Sequence, residues 1–234
     1  MQWLAIESAT LVASVAVGED ERVSAEITSQ SKLTHSERLL PMIDQALALA
    51  GCELAAIEGI MVSAGPGSFT GLRIGLATAK GLAHAQPRRL FAVSTLEALA
   101  WQQPEGIVVP LLDARRAQVY AAIYRRTLGG LEPLLSPTAL PLAELLQSPL
   151  LQAEPVRFVG EGARLYRDQI VASQPHALFA NPVHNWPRAS SLALVALALG
   201  RPPVGVAELS PMYIRASQAE QKLERQRRRE KQGG

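Results

Sequence analysis

Hydrophobic and polar positions follow a period of two at the start of the chain and a period near 3.6 soon after. Trp3–Glu7, Val12–Val17 and Arg22–Ile27 are short and mostly apolar and read as three strands in antiparallel sequence, with Gly18, Glu19 and Asp20 turning between the second and third. From Ser36 to Ala50 the apolar residues Leu39, Leu40, Ile43, Leu47 and Ala50 recur at helical spacing. Thr34 with Glu37 forms a capping box at its start and Gly51 ends it, while Pro41 bends its first turns or moves the start toward Leu40. Ile57–Ala64 is a buried strand, stopped by Gly65, Pro66 and Gly67, and Ser68 or Thr70 caps the helix that runs on to Ala85. In that helix Gly71, Gly75, Ala79 and Ala83 fall every fourth residue, a band that lets another backbone come close. A helical glycine costs about 0.5 to 1 kcal/mol relative to alanine, so two of them point to a packing demand. A strand at Leu90–Val93 and a helix at Ser94–Gln102 follow.

Beyond Gly106 the pattern begins again. Leu4–Glu7 leading into a Val/Ala strand has a counterpart in Pro110–Asp113 leading into Val119–Tyr124; in both, an apolar strand ends in a carboxylate and a hairpin returns. This weak repeat predicts two related domains, 1–104 and 105–217, with a linker near 103–106 and a basic, disordered tail at 218–234. The second domain is expected to hold a third strand near Leu131–Leu135, a short helix Leu142–Leu146, a strand Val156–Val159, and helices near Ala163–Ile170 and Ala189–Leu199. The last helix is a candidate for packing back on the first domain, and Pro175–Pro187 reads as a long loop.

Composition narrows the class. A chain of 234 residues with 48% hydrophobic content can bury one large core or two modest ones. Its longest apolar run, Leu192–Leu199, is far short of a membrane span and no basic stretch precedes the apolar start, so the cytoplasm is the expected compartment. The single cysteine, Cys52, rules out an internal disulfide and a cysteine-rich zinc site. The net charge of +2 hides an imbalance, because Glu220–Gly234 carries six basic residues against three acidic ones and leaves the remainder near −1. The body is therefore not a basic nucleic-acid-binding surface; the tail is a solvated end, with weak RNA contact as the lesser alternative.

The strand-to-helix turn at Gly65–Gly71 invites a phosphate-binding reading and fails its stricter forms. Three residues instead of two precede the last glycine, and no lysine follows it, so neither the dinucleotide fingerprint nor the Walker loop is present. Pro66 and Thr70 stand where a nucleophile elbow around Ser68 needs glycines. A helix N-terminus that attracts an anion stays open beside the plainer reading of a tight turn.

The motifs GPGSFTGLRIG, IESAT, HSERLLP, VSTLEALA, LLDARRAQVYAAIY and PMYIRA, in that family's order along nearly the whole chain, resemble the TsaB (YeaZ) family. The resemblance implies a two-domain actin-like ATPase (ribonuclease H-like) α/β fold, each domain a mixed sheet flanked by helices. It also implies a non-catalytic scaffold or activator of TsaD, which transfers threonylcarbamoyl to adenosine 37 of tRNA. The implied partners are TsaD in a heterodimer, the ATPase TsaE, a second copy of the chain when TsaD is absent, and tRNA indirectly, with no membrane. No cofactor is expected on this chain alone, and ATP or ADP is possible in the complex with TsaD and TsaE.

By the same resemblance Glu7 and Asp113 occupy the phosphate-hairpin acid positions of actin-like ATPases. Neither turn, Glu7–Leu11 nor Asp113–Ala117, contains a glycine, so backbone cannot approach phosphate closely, and both acids read as remnants. TsaD carries a metal-binding H-x-x-x-H on its first helix; here His35 is followed four places on by Leu39, so no metal ligands and no catalytic residues are assigned. The family's use of two helices for partner binding makes Leu39, Ile43 and Leu47, with Gly71, Gly75 and Ala79, the candidate interface, against the alternative that the glycines pack on the protein's own sheet. On the interface reading Gly75→Leu blocks pairing and leaves the monomer folded. The rival functions are an autonomous actin-like ATPase or kinase and a peptidase.

Overall fold

Two five-stranded sheets with one strand order organise the chain. The structure is a computed structural model that describes residues 1–31, 33–152 and 155–214; the 218–234 tail lies outside them. The first half runs β1 (Gln2–Glu7), β2 (Ala13–Glu19), β3 (Arg22–Ser29), α1 (His35–Ala50), β4 (Gly59–Gly65), α2 (Phe69–Ala85), β5 (Arg89–Ser94) and α3 (Thr95–Trp101). The second runs β6 (Gly106–Arg115), β7 (Gln118–Thr127), β8 (Gly130–Pro141), α4 (Leu142–Leu146), β9 (Val156–Val159), α5 (Glu161–Leu165), α6 (Arg167–Ser173), β10 (Leu178–Phe179) and α7 (Ala189–Ala198). The orders β3-β2-β1-β4-β5 and β8-β7-β6-β9-β10 superpose in sequence: an antiparallel meander, then two parallel strands beside its first member. The weak sequence repeat is thus a repeat of topology.

Strands β1 and β4 are buried almost throughout because helices cover both faces. On β1 the period of two sends Leu4 and Ile6 into a cluster with Leu39 and Ile43 of α1 and Leu76 and Ala79 of α2. Trp3 and Ala5 point the other way, into a cluster with Leu96 of α3 and Leu192 of α7. Helix α7 belongs to the second half by sequence and yet seats on the first sheet. Ser14 on β2 accepts a hydrogen bond from Ala189 N at 3.1 Å, and Glu26 on β3 accepts from Ser190 N at 3.0 Å, so two strands of the first sheet satisfy the free N–H groups at the start of α7.

Several expected boundaries shift for identifiable reasons. Helix α1 begins at His35 and carries Pro41 inside it, because the capping box formed by Thr34 and Glu37 fixes the start a full turn earlier. Strand β4 begins at Gly59 rather than Ile57, because Ile57 still closes a 3-10 turn, Leu54–Ala56, ahead of it. Strand β8 extends to Pro141, well past Leu135, its register against β7 broken by irregularities that let it bend. The helix expected at Ala163–Ile170 is two short helices meeting at Tyr166, and the stretch 175–187 contains the edge strand β10 and a 3-10 turn, Pro182–His184, instead of one long loop.

Candidate functional site

A cleft of about 1030 Å³ separates the two halves. One wall is the β1–β2 turn, Ala9–Leu11, with the first turn of α2; the other is the β6–β7 turn with α5; Met212–Ile214 lies along the rim. The two hairpin acids therefore stand where the fold places them, and each is used locally. Glu7 Oε1 accepts from Ala9 N at 2.6 Å, and Asp113 Oδ1 accepts from Arg115 N at 2.9 Å, the same contact two residues on in both halves. Asp113 Oδ1 also accepts from the Tyr166 hydroxyl at 3.1 Å. Glu7 is fully buried, Oε2 makes no hydrogen bond, and burial pushes its carboxyl up to about 8 against the opposing pull of the Ala9 N–H.

The nucleotide that actin-like ATPases hold in this position calls for glycine-lined turns and acids free to face a metal ion. The residues present do not fit it, since Glu7 is buried behind its own turn and does not line the cleft, and the side chains of Arg115, Arg116 and Ala117 occupy the second tip where glycines are needed. Among the described residues no group of three or more His, Cys, Asp or Glu is placed to hold a metal ion.

The first tip is clamped from behind by α1. His35 Nε2 meets Thr10 O at 2.9 Å, and Arg38 gives its guanidinium to Leu11 O at 2.8 Å, to Ser29 O at 2.9 Å and to His35 Nδ1 at 3.0 Å. Arg38 can only donate, so Nδ1 accepts, Nε2 carries the proton, and the ring is neutral. Burial, helped by the neighbouring Arg38 charge, depresses the imidazole further. His35 is a clamp for the hairpin rather than half of a metal pair.

The six residues assigned to a partner face point inward. Leu39, Ile43 and Leu47 are buried against β1, β2 and β4, and Ala79 lies in the same cluster. A Cβ on Gly71 would sit on the Ser8 carbonyl oxygen, and one on Gly75 would meet Ser8 Oγ. The glycines thus answer to this protein's own β1, which corrects the expectation that Gly75→Leu leaves the monomer folded. What α1 and α2 turn outward is a different set: Leu40, 54% exposed, with Asp44 and Ala48 on α1, and Ala77 and Gly81 on α2, while the exposed Arg73 belongs to the cleft rim. Nothing stands within 4 Å of a Cβ built on Gly81.

Sequence reasoning overlooked the rim. Phe69 stacks on Tyr213 with ring centroids 5.2 Å apart, the Arg73 guanidinium lies 3.7 Å over the Phe69 ring, and Arg73 Nε donates to Tyr213 Oη at 3.2 Å. Met212 N donates to Ala64 O at 2.6 Å, tying the rim segment to β4. The signal was present in PMYIRA and GPGSFTGLRIG, two separate motifs whose contact no local pattern reveals.

Duplicated sheets of this order, facing one another across a cleft with a hairpin from each, define the actin-like ATPase fold. EutJ from Carboxydothermus hydrogenoformans shares it at 13% identity, with a TM-score of 0.50 over 83% of this chain and 90% of that one. Residues 23–222 match the family model TsaD: tRNA N6-adenosine threonylcarbamoyltransferase. The Bacillus subtilis tRNA threonylcarbamoyladenosine biosynthesis protein TsaB is 34% identical over 228 residues, covering 95% of this chain and 97% of that protein. Its Escherichia coli namesake is 38% identical over 56% of this chain and 58% of its own. The chain belongs to the TsaB (YeaZ) family. In structure it is similar to YeaZ from Pseudomonas aeruginosa, with a TM-score of 0.77 at 31% identity over 91% of this chain and 99% of that one. A Pseudomonas aeruginosa protein described as similar to peptidase YEAZ gives 0.80 at 30% identity over 92% and 99%.

Proposed function

We propose that this member of a tRNA threonylcarbamoyladenosine biosynthesis family is a non-catalytic scaffold that docks TsaD and holds it in an active arrangement. The observation that carries the reading is that Glu7 is buried behind its own turn, outside the cleft lining, while Asp113 is held by Arg115 N and Tyr166, so the two acids do not face one phosphate or metal site. The reactive groups would then belong to TsaD, and ATP or ADP would enter with TsaD and TsaE rather than on this chain alone.

Docking would use the outward stripes of α1 and α2. Leu40 supplies an apolar anchor, while Ala48, Ala77 and Gly81 leave room for close helix approach. An exposed glycine inside a helix gives up about 1 kcal/mol with no neighbour of its own to explain it, and a partner's helix is such a neighbour. The same face would pair two copies when TsaD is absent. tRNA modification reconstituted from TsaD and TsaE should fall sharply when this chain is omitted. Gly81→Trp should melt like the parent and no longer co-purify with TsaD. Modification that proceeds equally without the chain, or magnesium-dependent ATP turnover by the chain alone, would overturn the reading.

A further inference from the structure

Docking leaves unused a cluster of arginines in the cleft. Arg73 from α2, Arg115 and Arg116 from the β6–β7 tip and Arg164 from α5 line it, facing the carboxylates Asp113 and Glu161. Among the described residues no carboxylate lies within ion-pair distance of any of the four. Asp113 is occupied by Arg115 N and Tyr166, and Glu161 is shifted toward its neutral form by burial and by Asp113 beside it, against the opposing pull of the Arg164 charge. Four cations face two carboxylates, so the cleft lining keeps an excess of positive charge, and a multiply anionic ligand offsets it.

The backbone that presents two of them is strained. Arg115, Arg116 and Ala117 have φ of 64°, 56° and 56°, three consecutive side-chain-bearing residues in the left-handed region, where each is disfavoured by about 1 kcal/mol or more. Such outliers gather at ligand clamps. The first tip, which carries no arginine, has no residue in that region.

Two features select the ligand. Glycine-free tips hold backbone N–H groups away from the tight approach that the adjacent phosphates of one nucleotide need, whereas long guanidinium arms from three separate elements suit phosphates spaced along a strand. Tyr120, partly exposed in the same lining, adds an aromatic ring of the kind on which unpaired bases stack. We infer that the interdomain cleft binds single-stranded RNA through its phosphate backbone, with Arg73, Arg115, Arg116 and Arg164 as the contacts. The inference rests on the reading of the chain as part of a tRNA-modifying assembly and adds a direct RNA contact to it.

The test is fluorescence anisotropy of a short unstructured RNA with the full chain, its R73A, R115A/R116A and R164A variants, and a variant in which the six basic residues of 222–231 are neutralised. Each cleft arginine removed should weaken binding about tenfold and lower the salt slope of log K by about 0.7. The tail variant should keep most of the affinity. Cleft variants that bind like the parent, affinity that vanishes with the tail alone, or displacement of the RNA by stoichiometric magnesium ATP would each overturn the proposal. Co-purification of the same variants with TsaD keeps the two readings apart: intact docking with unchanged RNA binding sinks only the cleft contact, and lost docking by the parent chain sinks the scaffold.

Discussion

The two halves share a sheet and differ in what was added to it. The first half carries helices of 16 and 17 residues, α1 and α2, where the second has α4 with 5 and the pair α5 and α6 with 5 and 7. The hairpin tips differ in the same sense. The first is clamped by His35 and Arg38 and hides its acid; the second is exposed, left-handed and armed with two arginines. A duplicated scaffold thus carries long helices on one half and an exposed arginine tip on the other. One device is common to both: glycines at the start of the helix after the fourth strand meet backbone in or just beyond the first, Gly71 against the Ser8 carbonyl, and Gly160 and Gly162 against Leu111.

That comparison can be broken most forcefully at Gly71. The obstacle there is a backbone oxygen that cannot rotate away, so Gly71→Leu should cost about 4 kcal/mol or more and give little folded protein by circular dichroism. A well-folded Gly71→Leu variant would restore the open-helix reading.

Arg38→Met keeps the side chain's bulk and removes its bonds to Leu11 O and Ser29 O. A loss of about 2–3 kcal/mol in urea denaturation is expected, with faster amide exchange at the first tip and none at the second.

The buried acid separates the halves by pH. The Glu7 carboxyl holds its proton up to about 8 in the folded chain and to 4.5 when unfolded, so the folded state binds more protons between those values and stability falls as pH rises through that window. Glu7→Gln should flatten the slope and gain on the order of 1–3 kcal/mol over the parent at pH 8, with little difference at pH 4. Identical pH–stability curves for parent and variant would show that Glu7 is not the titrating group.

The smallest effect is expected in the second half. A Cβ on Gly162 comes to 3.0 Å from Leu111 backbone, a tight contact that slight movement relieves, so Gly162→Ala should cost about 1 kcal/mol in thermal melts. A loss equal to that of Gly71→Leu would mean that the two halves tolerate crowding alike.

Much of this was legible without coordinates. The repeated run of apolar residues ending in Glu7 and Asp113 announced duplicated sheets, and Thr34, Glu37 and Gly51 marked the ends of α1 by capping chemistry that needs only neighbours in sequence. Strand β10 escaped notice because two residues leave no period to read, and the clamp formed by Arg38 escaped because its acceptors lie 9 and 27 residues away.

By itself the sequence determined which residues are apolar, where periods change and where turns must fall, since those depend on side-chain chemistry and on contacts within a few residues. Only the tertiary structure decided what the apolar and glycine-lined stripes of α1 and α2 face. A stripe of Leu39, Ile43, Gly71 and Gly75 is the same string of letters whether it meets the chain's own β1 or another molecule, and the choice lies in the placement of Ile6 and Ser8, more than 60 residues from the glycines. The gathering of Arg73, Arg115, Arg116 and Arg164 into one cleft was likewise settled by the docking of two domains, because like charges this far apart along a chain carry no local signal of meeting.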